Sequence, residues 1–321
     1  MRNRLLLTAA ACLSAACWLA GPAGARETYP SRPVRIVTTD VGNSNDLLAR
    51  MLAEPLASAL GQQVVVENRG GAGGGIAVEK LMNAAPDGHT IMVHGTSIWL
   101  LPLMRKDTPW NPLRDFAPIS MIARNPAVLV VPASLPPKSA LELIEYAKAR
   151  PGELDYVSVD DGSPSHLAAE LFTSMAGIKV VRVAYRGGGA AFNGLLAGEG
   201  QMMVNAIAPA MVHVRAGRLR ALAVTSPSAL LPDMPLIGAT VPGYEWITHQ
   251  VILAPAKTPP AIVKRLNAEA VRALGGPDLK EKGMKLGIEV AGSASSDVTA
   301  MMKTETARMR PIIQRSGITV H

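Results

Sequence analysis

Cysteine is nearly missing from this chain. Among 321 residues there are two, Cys12 and Cys17, and both fall inside the apolar stretch Leu5–Ala20. The rest of the chain has no thiol, which excludes a disulfide, a thiolate metal site and a cysteine nucleophile there. Aromatic residues make up only 4%, too few for the stacking platforms that hold single-stranded nucleic acid. Lysine and arginine are scattered, with no basic run to form the footprint of a polyanion binder. No nucleic-acid partner is expected. No second long apolar span follows the first, so a membrane-embedded body is not expected either.

The chain does carry a leader. Arg2 and Arg4 precede the apolar core, Gly21 and Pro22 break it, and Ala23–Ala25 is a small-x-small site. This is the pattern of an export signal cleaved after Ala25, rather than of a membrane anchor, for which the run is short. A lipoprotein retaining Cys17 is the less favoured form, because Ser14 stands where a bulky aliphatic residue is needed. Removing residues 1–25 leaves 30 basic residues against 25 acidic ones, a modest net charge of +5.

Hydrophobic content of 48% with 18% charge indicates a folded α/β-sized core, and the length suggests two domains. Short β-branched runs alternate with helical patterns. VRIVTT (34–39), QVVVENR and HTIMVHG read as strands, separated by SNDLLARMLAEPLASAL and AVEKLMNAA as helices. Pro55 predicts a kink in the first helix. A second series begins at AVLVVPASLP (127–136), with SALELIEYAKARPG and PSHLAAELFTSMAG as helices and LDYVSV, KVVRVAY, GQMMVNAIA and LRALAVTS as strands. HQVILAPA, PPAIVKRLNAEAVRALG and a last helix near residues 297–317 complete it. Such alternation predicts a mostly parallel sheet with helices on both faces.

Four features carry candidate chemistry. The glycine run Arg69–Lys80 follows a strand, but Gly71, Gly73 and Gly75 give G-x-G-x-G rather than the dinucleotide fingerprint, and no P-loop lysine follows. A tight turn is favoured over a nucleotide site, and no cofactor is expected. The six histidines lack metal-ligand spacing, so no metal is expected. The loop Thr38–Asp46 lies at the carboxyl end of the first strand, where α/β folds bind ligands. There Gly42 and Asn43 tolerate left-handed backbone, and Ser44 or Asn45 can cap the helix. The same residues suffice for an ordinary capped turn. SVDDGSPSH stands at the equivalent place in the second series: Ser163 and Pro164 fit a helix cap and first position, which aims the amides of Ser165 and His166 into a cleft. A secreted serine hydrolase using Ser163 or Ser165 with His166 is the alternative, but the G-x-S-x-G elbow is missing. Tyr185, in VAYRGGGAAFNG, and Asn205, at a strand end, are further candidates.

The mature chain resembles the Bug (TctC-type) family, the periplasmic solute receptors of tripartite tricarboxylate transporters. YPSRPVRIV, VVVENRGGAGGGIAVEK, AAPDGHTI, LRDFAPIS, GSPSHLAAELFTSMAG, VAYRGGGAA, AGRLRALAVTS and TPPAIVKRLNAE carry the likeness, in order. It implies a type II periplasmic-binding-protein fold: two doubly wound lobes joined by extended hinge segments, closing on a ligand like a flytrap. The implied lobes are 26–125 plus 253–321, and 126–252. It also implies a monomer that hands its ligand to transporter membrane subunits, or alternatively to a sensor kinase, without catalysis. Two loops are implied to hold a ligand carboxylate through amides, hydroxyls and waters. The residues at these positions are Thr39, Asp40, Val41, Gly42, Asn43, Ser44 and Asn45 in the first, and Asp160, Asp161, Gly162, Ser163, Ser165 and His166 in the second. Thr96, Tyr185 and Asn205 complete the candidate set.

The chain departs from the family at the loops. Thr38-Thr39-Asp40-Val41-Gly42-Asn43 replaces a loop that usually reads P-F-x-P-G-G, Val159 and Asp160 stand where serine and glycine are usual, and Gln201 and Asn205 replace common aspartates. Carboxylates at Asp40 and Asp160 facing the cleft would repel a second anionic group. A monocarboxylate, an amino-acid-like or an amide-bearing ligand is therefore expected rather than a tricarboxylate.

Overall fold

The computed structural model describes residues 29–71, 74–159, 161–316 and 318–319. The expected signal at 1–25 lies outside these residues, and so does Asp160.

Three strand–helix units open the fold: β1 (Val34–Thr38) and α1 (Ser44–Leu60), β2 (Val64–Asn68) and α2 (Gly75–Met82), β3 (Thr90–Gly95) and α3 (Ser97–Met104). β1 pairs in parallel with β2 on one side and β3 on the other. Val34, Ile36 and Val37 are wholly buried, as a strand covered on both faces requires. α1 buries Leu48, Leu52, Leu56 and Leu60, a stripe at helical spacing worth about 1.5–3 kcal/mol per leucine. The helix continues through Pro55 as one element and ends on Gly61, whose φ of 69° is the left-handed cap conformation. The helix α3 has no counterpart in the sequence reading. SIWLLPLM is apolar on every side and therefore shows no helical period.

The chain continues through β4 (Phe116–Pro132), α4 (Ala140–Lys148), β5 (Asp155–Ser158), α5 (Pro164–Ala176), β6 (Val181–Ala184), α6 (Gly188–Ala197), β7 (Met202–Ala206), α7 (Ile207–Arg215), β8 (Leu219–Val224), α8 (Ile237–Thr240), β9 (Ile247–Pro255), α9 (Pro260–Gly275), α10 (Pro277–Leu286), β10 (Glu289–Val290) and α11 (Ser295–Ser316). Ser163 caps α5, Pro164 takes its first position, and Gly177 closes it at φ 65°, all as the sequence indicates. The glycine-rich stretch after Tyr185 is more than a turn, since it forms α6.

The strands follow the order β2-β1-β3-β9-β4-β7-β5-β6, with β8 and β10 also paired to β4. The sheet is mixed rather than mostly parallel: β9 runs antiparallel to β3 and β4, and β4 runs antiparallel to β7 and β8. β4 does not begin at Ala127, as the apolar run suggested, but at Phe116. Its first part, Phe116–Pro126, pairs with β9, and its last part, from Ala127, pairs with β7 and β8. Prolines and polar residues in FAPISMIARNP, together with two register shifts in the β9 pairing, hide the strand period in the sequence. This one strand joins the two strand groups. Alternate residues of its second part face different clusters: Val128 and Val130 pack with Phe192 and Met203, and Leu129 and Val131 with Phe172 and Trp246.

Candidate ligand-binding site

A cavity of about 570 Å³ is walled by residues of both strand groups. Its first wall is the loop between β1 and α1, where Gly42, Ser44 and Leu47 line it. Asn43 caps α1, its side-chain oxygen accepting from the Asp46 amide at 3.0 Å. Asp46 answers from the third helical position by accepting from the Gly42 amide at 2.8 Å. This arrangement is a capping box shifted by one residue, since the amide that Asp46 accepts is that of Gly42, just before the cap. The Asp46 carboxylate also accepts from Asn68 Nδ2 at 2.8 Å and Arg50 Nε at 3.0 Å. Burial alone would push its pKa up; the Gly42 amide, Asn68 and Arg50 overcome that and hold it below the ordinary range. Asn43 and Asn45 both donate to Thr39 Oγ1, at 2.7 and 3.2 Å. The cap thus spends the Asp46 amide and leaves those of Ser44 and Asn45 unbonded among the described residues.

The second wall is the loop before α5, with Val159, Ser163, Pro164 and Ser165 on the cavity. Ser163 Oγ accepts the His166 amide at 3.3 Å. The expectation that the His166 amide serves the cleft is therefore corrected: the cap consumes it, and Pro164 has no N–H, so Ser165 supplies the first-turn amide. Ser165 Oγ accepts the Val159 amide at 3.0 Å. Arg182 on β6 braces the loop from behind, donating to Ser158 Oγ at 2.6 Å and to the Val159 carbonyl at 2.9 Å, and pairing with Asp161. His166 is buried, and its Nδ1 accepts from the Gly162 amide at 3.1 Å. Burial and the adjacent Arg182 push its pKa down to about 4, so the ring is neutral at pH 7. Its ring bonds neither Ser163 nor Ser165 among the described residues, which leaves the hydrolase reading without its nucleophile–base contact.

A third helix start closes the site. Asn205, Ala206, Ala208 and Pro209 line the cavity at the beginning of α7, and Asn205 Oδ1 accepts the Ala206 amide at 2.7 Å. Three helix N-termini therefore meet one cavity, and none of its described lining residues is charged. Partial positive charge from the helix ends is the resulting field.

Of the remaining sequence candidates, Thr96 is buried and exchanges hydrogen bonds with the His249 backbone, at 2.8 and 3.3 Å. Tyr185 is bonded to Glu199 and lies against Gly194. Val41 is exposed at the loop tip. Asp40 is exposed and its carboxylate packs against Gly70, where a side chain would collide with it. None of these four lines the cavity. The glycine run serves this packing: a Cβ on Gly74, at φ 93°, would meet the imidazole of buried His94. No group of three or more potential metal ligands occurs among the described residues.

The sequence reading missed the back wall. Asn125 on β4, Thr248 and Gln250 on β9, Trp246 just before it, and Leu286–Ile288 all line the cavity. Asn125 Nδ2 donates to Gln250 Oε1 at 2.6 Å, and Gln250 Nε2 to Ser44 Oγ at 3.4 Å. A relay of amides thus reaches from the joining strand to the first loop. The available signal was a lone amide interrupting each of two apolar strands.

Residues 48–318 match the family model described as tripartite tricarboxylate transporter family receptor (TctC). The chain belongs to this family. BugT of Bordetella pertussis is 33% identical, with 99% of both chains covered. Among solved structures, the Rhodopseudomonas palustris protein Rpa4515 with adipate matches at TM-score 0.76 and 32% identity, covering 91% of this chain and 99% of that one. The periplasmic binding protein BugD matches at TM-score 0.74 and 29% identity, with the same coverage. TctC receptors are solute-binding proteins, and the α/β fold here is that of the periplasmic binding proteins. No helix among the described residues is long and apolar enough to cross a membrane.

Proposed function

We propose that this TctC receptor is exported to the periplasm after cleavage at Ala25, captures a small organic carboxylate between two lobes, and delivers it to the membrane subunits of a tripartite tricarboxylate-type transporter without chemical change. The observation that carries this reading is the convergence of three helix starts on a cavity whose described lining residues carry no charge. Residues 26–125 with 253–321 form one lobe, to which residues 247–252 of β9 also belong because they pair with the first part of β4, and the rest of 126–252 forms the other, hinged where β4 changes partners at Pro126–Ala127. The bound carboxylate accepts from the amides of Ser44, Asn45 and Ser165 and from the hydroxyls of Ser44, Ser163 and Ser165, a set that favours one negative group.

The ligand is a monocarboxylate or an amide-bearing acid. Asp40 is off the cavity wall, and among the described residues no cation lines the cavity to neutralise a second or third carboxylate. Asn125, Asn205 and Gln250 instead offer neutral hydrogen bonds to the far end. An amino-acid-like ligand would need an acid facing its ammonium, and no described lining residue supplies one. The adipate held by Rpa4515 makes chain length six the natural starting probe. Native mass spectrometry of the protein as purified, followed by calorimetric titration with hexanoate, adipamate, adipate and citrate, tests the reading. Hexanoate or adipamate is expected to bind most tightly. Retained or preferred citrate would overturn the ligand class, and turnover of an ester lost in Ser165→Ala would overturn the receptor role.

A further inference from the structure

Glu289 joins parts of the molecule that its chain position would keep apart. It opens β10, which extends the first strand group by pairing with β4 at Arg124. Its side chain reaches to the second group: Oε1 accepts from the hydroxyl of Ser228, 7% exposed, and from the Ala229 amide at 2.9 Å. Ser228 and Ala229 begin the turn after β8, the strand that pairs with the far part of β4. The three residues before Glu289 are cavity wall, Leu286, Gly287 and Ile288. Gly287, at φ 73°, presses against Ala208 at the start of α7, leaving no room for a side chain.

We infer that Glu289 is a positioning residue for ligand binding: by anchoring the wall Leu286–Ile288 to the Ser228–Ala229 turn, it fixes the width of the cavity across the two strand groups. The inference rests on the reading of this cavity as the ligand site. Two hydrogen bonds to one carboxylate oxygen are charge-assisted and stronger than neutral ones. Without them the wall keeps the Gly287–Ala208 contact with the second group but loses its charge-assisted anchor. Leu286 and Ile288 would then lose their fixed distance from the helix starts that receive the carboxylate.

Hydrogen exchange of the full chain tests this. In Glu289→Ala, segments 226–232 and 284–291 are expected to exchange about tenfold faster, with 38–47 unchanged. Glu289→Gln keeps the acceptor oxygen and is expected to restore most of the protection. Unchanged exchange in both segments overturns the inference, and so does equal acceleration throughout the chain. Should Glu289→Ala fail to fold, Ser228→Ala carries the same test from the opposite side: acceleration at 284–291 supports the bridge, and wild-type exchange there refutes it. Titration with hexanoate and adipate adds the functional readout, with affinity expected to fall about tenfold in Glu289→Ala and to return in Glu289→Gln. If neither acid binds wild type, the ligand reading falls, while the exchange result still decides the bridge.

Discussion

The loop before α1 is braced by a buried acid and the loop before α5 by a partly buried base. Both loops join a parallel strand to a capped helix, and both put serines on the cavity. Behind the first, Asp46 is 2% exposed and gathers Gly42, Asn68 and Arg50. Behind the second, Arg182 reaches across from β6 to Ser158, Val159 and Asp161. The difference teaches where rigidity comes from. Asp46 lies within the helix it caps, so the first loop is fixed mainly by local sequence. Arg182 lies 21 to 24 residues beyond the residues it holds, so the second loop depends on strand pairing being complete.

The sharpest way to break this comparison is Asp46→Asn. The amide keeps the size but turns a donor toward donors, inside a buried cluster. A loss of about 3 kcal/mol is expected, with the melting temperature falling and exchange rising at 38–50. Arg182→Met should cost less, about 1–2 kcal/mol, because the guanidinium is partly solvated; exchange should rise at 156–166 and stay unchanged at 38–50. A change confined to neither loop would refute the division into local and distant bracing.

Acid separates the loops in a different way. The folded pKa of His166 is depressed from 6.5 to about 4. Its contribution is present in full above pH 6.5 and is lost as pH falls toward 4. Asp46 is depressed below 3.8, so its contribution holds above that value and is lost only at lower pH. Exchange measured at pH 7, 5 and 4, corrected for intrinsic rates, is expected to loosen 156–166 before 38–50. The reverse order would sink the assignment of His166 as the acid-sensitive member. The smallest effect is expected from Ser163→Ala, about 1 kcal/mol for the lost cap, with weakened ligand binding because a cavity hydroxyl goes with it.

Much of the site was legible in the sequence. Ser163 and Pro164 announced a helix start, and the loop before Leu47 announced another, although its cap is Asn43 rather than Ser44 or Asn45, because caps depend on residues a few positions apart. The back wall was not legible. Asn125, Gln250 and Trp246 lie far apart in the chain and meet only because β4 and β9 pair antiparallel across Phe116–Pro126. Thr96 and Tyr185 sit at strand ends, as the pattern of the fold predicts for binding residues, yet their hydroxyls are engaged elsewhere, by the His249 backbone and by Glu199. Asp40 was, together with Asp160, one of the acids that the sequence offered as a clue to the ligand. Its carboxylate instead rests on Gly70, a placement that depends on how β1 and β2 end side by side.

The sequence by itself determined the strand–helix alternation, the two capped loops, the lack of any cysteine beyond Cys17 and the family. These follow from periodicity, short-range capping and composition, which act within a few residues of one another. The tertiary structure decided which polar residues face the cavity, that none of its described lining residues is charged, and that Glu289 and Arg182 brace its walls from a distance. Those outcomes depend on the long strand β4 passing from one strand group to the other, and on the register that places distant residues side by side.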